Sequence, residues 1–199
     1  MKIVTRLAAA PMKIVTRLAT AASLVVALCG VQRASAADAF TLSSSTFTDG
    51  GAMPTRTGGV KKDNPNCLGE NVSPQLQWSN PPAGTKSYAI IVVDPEGRGG
   101  LGVDHWVAYG IPASISSFTG GEVSAISGKY VGGSGNNGQA NYSGPCPPAG
   151  APHHYVFTLI ATDLDPGALP AGLTHQQLLD KLEGHAKGAT GLVGLYAHP

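Results

Sequence analysis

Apolar runs and clusters of turn-forming residues alternate along most of the chain, and that alternation predicts strands. YAIIVV, 88–93, is short, apolar and rich in β-branched side chains, the signature of a buried strand. HWVAYGI, 105–111, reads as the next strand, and HYVFTLIATDL, 154–164, as the clearest of all. Shorter strands are expected near Phe40–Phe47 and Leu76–Trp78. Thr174 and Gln177 form a capping box with a Leu173–Leu178 staple, which predicts a helix through about Lys187 closed by Gly188. GLVGLYA, 191–197, reads as a last short strand. DGGAMP, RTGG, KKDNPN, ENVSP and NPPAGTKS are turn chemistry, DPEGRGGLGVD (94–104) is a glycine-bearing loop, and 127–152 is a long ordered loop with few apolar residues. The expected architecture is mainly β, with one late helix and long loops.

Composition supports this. Charged residues make up only 13% of the chain, while Gly (27) and Pro (15) are abundant, a mixture that favours an all-β or loop-rich domain over a helical one. The 13 basic and 12 acidic residues nearly cancel, which argues against a nucleic-acid binder.

The N-terminus reads differently from the rest. MKIVTRLA occurs at 1–8 and again at 12–19, so Met12 reads as a second, and the true, start; a duplication during cloning is the alternative. Lys13 and Arg17, an apolar run from Leu18 to Val31, and Ala34-Ser35-Ala36 have the layout of a secretory signal peptide over 1–36. Lipid attachment at Cys29 is the rival, and Leu28 before it fits that poorly. Residues 37–199 are then one exported domain, periplasmic or secreted. Removing Cys29 leaves Cys67 and Cys146, which in an oxidising compartment form a disulfide or stay as two unpaired thiols. A bridge closing so long a loop contributes about 4 kcal/mol in the chain-entropy model.

Polar clusters sit at the ends of the predicted strands. Asp94-Pro95-Glu96 follows 88–93, His105-Trp106 opens 105–111, and His153-His154-Tyr155 opens 154–164. Antiparallel pairing of these strands brings all three clusters to one end of a sheet. Period two puts His105, Val107, Tyr109 and Ile111 on one face, and His153, Tyr155, Phe157, Leu159 and Ala161 on another. Imidazole and phenol donors beside an apolar wall suit a small anion, with Asp94 orienting a histidine rather than touching the ligand. Trp106 reads as core, His154 points away from His153, and His175 and His185 as helix surface or packing residues.

GENVSPQLQW (69–78), PPAGTKSYAIIVVDPE (81–96), DHWVAYGIP (104–112) and YSGPCPPAGAPHHYVFTLIATD (142–163) together resemble the phosphatidylethanolamine-binding proteins, in particular their bacterial Raf-kinase-inhibitor-like branch. The resemblance spans about 40–197 and implies an antiparallel β-sandwich with a small anion pocket at one end. It assigns the pocket to Asp94, His105, His153 and Tyr155, with Glu96 where a second aspartate is usual. The pattern DPDAP appears here as DPEGR, so Arg98 is either an added anion contact or a solvated loop residue. Tyr142 and Pro147 border the mouth or simply shape the loop.

The expected function is an exported binding protein that holds a small anion or phosphorylated headgroup, touching membranes only through headgroups. It is expected not to be an enzyme and to need no cofactor. An interaction module that inhibits a kinase or protease is the first alternative. An acid–base hydrolase is the second, weakened because no Gly-x-Ser-x-Gly elbow is present. Two histidines and a carboxylate can hold zinc, but no His-x-x-x-His spacing supports it, so no metal is expected.

Overall fold

The computed structural model describes residues 38–136 and 138–199; the expected signal peptide over 1–36 lies outside them. Nine strands follow in chain order: β1 (Thr41–Ser43), β2 (Gly51–Ala52), β3 (Leu76–Ser79), β4 (Ser87–Asp94), β5 (Val103–Pro112), β6 (Ser117–Phe118), β7 (Val131–Gly132), β8 (His153–Thr162) and β9 (Ala186–Tyr196). β1, β3 and β6 make a small antiparallel sheet. The larger sheet has the order β2-β9-β8-β4-β5-β7, antiparallel except for the short β2–β9 pair. The two sheets form an open sandwich.

The continuous apolar run of β4 now has a physical reason. Tyr88, Ile90 and Val92 face the small sheet, packing with Leu42, Leu76, Trp78 and Phe118. Ala89 and Ile91 face the other way, onto Leu178 and Leu182 of the helix His175–Leu182. The central strand is buried on both faces, so it carries no polar alternation. Trp106 is completely buried in the sandwich core, as its reading as core required.

Three boundaries and one face differ from the sequence expectation. Strand β1 is only three residues long, because Ser44 and Ser45 turn away to bond Gln75. The predicted capping box is present, with the Thr174 hydroxyl accepting from the Gln177 N–H and the Gln177 side chain accepting from the Thr174 N–H. The helix nonetheless ends at Leu182 rather than near Lys187, because Gly184 takes a left-handed conformation (φ +79°) that turns the chain into β9. Strand β9 therefore starts at Ala186, well before the predicted 191.

The face correction concerns β5. Opposite β4, Val92 pairs with Trp106 and Val93 with Asp104, so His105 is an extra residue in a β-bulge. A second irregularity falls between the Tyr88–Ile111 and Ile90–Ala108 pairs, where Gly110 adopts φ +62°. Val107 and Tyr109 consequently face the helix, while Ile111 joins the sandwich core and His105 turns its ring edge-on to Tyr155. Strict period two fails wherever a bulge resets it.

Candidate functional site

Strands β5 and β8 both pair antiparallel with β4, so the end of β4 and the starts of its two neighbours lie together. A cavity of about 710 Å³ opens there, within the range of small-ligand sites. Asp94, Glu96, His105 and His153 all line it.

Asp94 is the fixed point of the site and is 4% exposed. Its Oδ1 accepts from the backbone N–H groups of Glu96 (3.0 Å) and Gly97 (2.9 Å). This is the side-chain turn that an aspartate before proline favours. Gly97 is required at this point, because a Cβ there would approach the Val103 side chain to 2.6 Å. The second oxygen, Oδ2, accepts from His153 Nδ1 at 2.8 Å. Both carboxylate oxygens of Asp94 thus accept from groups within the protein, in the orienting role the sequence suggested.

His105 is nearly buried, at 7% exposed. Its Nδ1–H donates to the Ser143 carbonyl at 2.7 Å. Because a carbonyl only accepts, this bond fixes the tautomer, with the proton on Nδ1 and Nε2 left as the acceptor nitrogen. Burial pushes the His105 pKa below its ordinary value, outweighing the opposing pull of the Ser143 carbonyl and of Asp94 and Asp104. The expectation that neutral imidazoles present N–H donors therefore needs correcting. Both Nδ1–H groups are consumed, and a neutral ring offers the cavity only an Nε2 lone pair.

Tyr155 is not a wall of the cavity. It is 1% exposed and lies beneath the floor, its ring 5.1 Å from that of His105 and 6.3 Å from that of Tyr196. Its hydroxyl is buried and makes no hydrogen bond of ordinary geometry among the described residues, although it lies close enough to Asp94 for the carboxylate to act on it. Burial, reinforced by the Asp94 charge, raises its pKa strongly. The phenol supports His105 instead of meeting a ligand directly. Tyr155→Phe is accordingly expected to keep anion affinity within about twofold. Its thermal midpoint should be unchanged or slightly raised, since an unpaired buried hydroxyl contributes no net stability. Calorimetric titration and thermal melting of the variant check both.

Glu96 serves as rim and structural partner together. Its Oε1 accepts from His154 Nδ1 at 2.6 Å and its Oε2 from the His154 N–H at 3.2 Å. His154 does point away from His153, which bonds Asp94 instead. Burial pushes the Glu96 pKa up, but the hydrogen bonds and charge of His154 together outweigh it and leave the pKa below its ordinary value, although the pair is too exposed to matter for stability. One oxygen or nitrogen each from Asp94, Glu96 and His153 lies within 4.8 Å of the others. Each of these groups already holds a partner in the protein.

The rest of the wall comes from loops that sequence periodicity does not reach. Asn71, left-handed at φ +55°, takes its N–H to Gly58, accepts from the Gly144 N–H and donates to the Tyr142 carbonyl. Asparagine tolerates that conformation better than most residues, which was the one available signal. Cys67 and Cys146 are joined by a disulfide and both line the cavity. The loops it links pack closely, since a Cβ on Gly59 would meet Cys146 Sγ at 2.5 Å. Lys61, Arg98 and Pro147 also line the cavity, whereas Tyr142 is buried core with its hydroxyl on the Thr57 carbonyl. His175 and His185 do not reach the site; they bond Asp104 and Asp163.

The architecture is thus an open antiparallel β-sandwich with a cavity of mixed polar and apolar lining where β4, β5 and β8 converge. The family model for phosphatidylethanolamine-binding protein matches residues 43–197, and the chain belongs to that family. LppC of Mycobacterium tuberculosis H37Rv is 39% identical over 168 residues, covering 82% of this chain and 75% of that protein. A UPF0098 protein of Methanothermobacter thermautotrophicus is 34% identical over 161 residues, covering 78% and 97%. Among solved structures, Escherichia coli YbcL, described as a new member of the mammalian PEBP family, aligns with TM-score 0.71 at 28% identity, covering 79% of this chain and 98% of that one. The homologue CT736 of Chlamydia trachomatis aligns with TM-score 0.69 at 30% identity, covering 81% and 99%.

Proposed function

We propose that this protein is an exported binding protein whose cavity holds a small anion or a phosphorylated headgroup. The observation that carries the reading is the pair of imidazoles, His105 and His153. Each is anchored through Nδ1, to Ser143 and to Asp94, and each lines the same cavity. Anchored rings are pre-organised, so little freedom remains to be lost when a ligand binds. Lys61 and Arg98 add two charged donors to the wall, and neither has an ion-pair partner among the described residues. Family membership supports a binding role; export rests on the N-terminal sequence pattern, and secretion of a full-chain reporter fusion tests it.

Isothermal titration of the full chain with phosphate and phosphoethanolamine tests the reading. Unchanged affinity in His105→Ala and His153→Ala would remove these residues from the site.

The same geometry predicts a pH dependence with opposite signs for stability and binding. The depressed folded-state pKa of His105 means the unfolded chain binds the proton more readily. His105 therefore leaves stability untouched above about pH 6.5 and lowers it as pH falls through the unfolded value. A bound anion instead favours the protonated ring. Affinity for sulfate, which itself stays fully ionised, is expected to rise between pH 8 and 6 with proton uptake. Titrations in buffers of different ionisation enthalpy read that uptake directly, and its absence in His105→Gln confirms the source.

A further inference from the structure

We propose that residues 60–68 form a redox-released flap on the cavity, and that Cys146 is the sulfur at which a small thiol opens it. The proposal concerns the wall and not the ligand, so it stands whether or not the cavity holds an anion.

Two independent observations support it. The first is how little besides the disulfide holds this segment. A bridge between Val60 and Leu68 closes it into a loop, and Val60, Lys61, Asn64 and Cys67 line the cavity. Its hydrogen bonds are internal: Asn64 N–H to the Lys61 carbonyl, Cys67 N–H to the Asn64 carbonyl, and Asn66 N–H to the Asn64 side chain. Val60 and Leu68 are exposed and join neither core cluster. Among the described residues, the bonds that leave the loop are the Cys67–Cys146 disulfide and an exposed contact of His198 with the Pro65 carbonyl at 3.3 Å. The base is held differently. Gly59 N–H donates to the Pro145 carbonyl at 2.7 Å, Gly69 N–H to Gly59 at 2.9 Å and Asn71 N–H to Gly58 at 2.7 Å. A Cβ on Gly69 would lie 2.1 Å from the Gly58 carbonyl oxygen, so the base is closed tightly. A fixed base under a loosely held tip opens locally while the rest of the fold stays.

The second observation is the asymmetry of the two half-cystines. Both line the cavity, but Cys67 is buried, at 7% exposed, whereas Cys146 is half-buried. Thiol–disulfide exchange follows access, so a thiolate entering the cavity attacks Cys146 Sγ. Its sulfur bonds to Cys146 as the Cys67–Cys146 bond breaks, and the electron pair leaves on Cys67, which takes up a proton. A second thiolate attacks the small-molecule sulfur of that mixed disulfide. Cys146 is left reduced, and the two thiols are oxidised to their own disulfide. Beyond Cys146, Pro147, Pro148 and Pro152 lack an N–H, and no hydrogen bond ties 147–152 among the described residues. Breaking the bridge therefore frees two loops at once and opens that side of the cavity.

Hydrogen–deuterium exchange of the full chain, oxidised and reduced with 2-mercaptoethanol, tests this by mass spectrometry. After reduction the Asn64, Asn66 and Cys67 amides should exchange at least about tenfold faster, while those of β4 and β8 stay protected through about the first minute. The double variant Cys67→Ser with Cys146→Ser, labelled without thiol, should reproduce that pattern. Brief exposure to 2-mercaptoethanol, quenched with acid and mapped on peptides, should place the adduct on Cys146 over Cys67 by about tenfold. Exchange at 60–68 that reduction leaves unchanged overturns the flap. Protection lost at once through β4 and β8 also overturns it, because the bridge then guards the whole fold. An adduct carried mainly by Cys67 overturns the assigned point of attack. None of these readouts depends on phosphate binding, so failure of the anion-site reading shows separately, in the titrations.

Discussion

Asp94→Ala is expected to abolish anion binding and to destabilise the fold by roughly 3–5 kcal/mol, the range for breaking a buried charged hydrogen-bond network. The carboxylate is only 4% exposed and satisfies three donors at once, the Glu96 and Gly97 N–H groups and His153 Nδ1. Alanine leaves two backbone donors and an imidazole N–H unpaired where β4 enters its turn. His153 loses the bond that sets its ring, and the loop bearing Glu96 and Arg98 loses its anchor. Asp94→Asn separates these effects. Its amide oxygen can still accept from both backbone groups, but its NH2 faces the His153 Nδ1–H donor to donor. The asparagine variant should therefore recover much of the stability while binding stays weak. Denaturant unfolding together with titration on both variants checks the separation, and equal recovery of both properties would contradict the assigned role of His153.

Removing the disulfide is the second large effect. Cys67 and Cys146 are 79 residues apart, and a bridge closing a loop of that length contributes about 4 kcal/mol in the chain-entropy model. For a chain of this size that is a fall in melting temperature of roughly 8–16 °C. The bridge also joins the two loops that form one side of the cavity. Cys146 lies three residues from Ser143, whose carbonyl orients His105. Loss of the bridge should consequently weaken anion binding as well as stability, whether by Cys67→Ser with Cys146→Ser or by reductant. A reduced protein that melts at the same temperature and binds as tightly would show the bridge to be dispensable.

Much of this arrangement was legible in the sequence, and the reasons are specific. YAIIVV announced a buried central strand because both of its faces are covered, by the small sheet and by the helix. The turn residues after Asp94 and before His153 showed where strands stop, and antiparallel pairing then brought the polar clusters together. Composition alone could never have done that.

What escaped had local causes. The bulge at His105 reverses the face of a single residue, and no pattern of apolar positions marks it. Tyr155 shares the sandwich face with Phe157 and Leu159, and the same alternation that placed it beside His105 also drew it under the cavity floor. Lys61 and Asn71 come from a turn-rich segment whose path is set by backbone hydrogen bonds to Gly58, Gly59 and Pro145, not by periodicity. The early end of the helix depends on the left-handed conformation of Gly184, whereas the sequence pattern predicts the close at Gly188. The pairing of His175 with Asp104 ties the helix start to β5 across 71 positions, a distance at which sequence carries no local signal.

The central claim is that His105 and His153 converge on one anion. The most direct measurement is 15N-detected NMR of the histidine side chains during titration of the full chain with inorganic phosphate. The account predicts that the Nε2 resonances of both residues move together along a single binding curve while their hydrogen-bonded Nδ1 resonances hold nearly still. Saturable phosphate binding that leaves both Nε2 signals unmoved would contradict it.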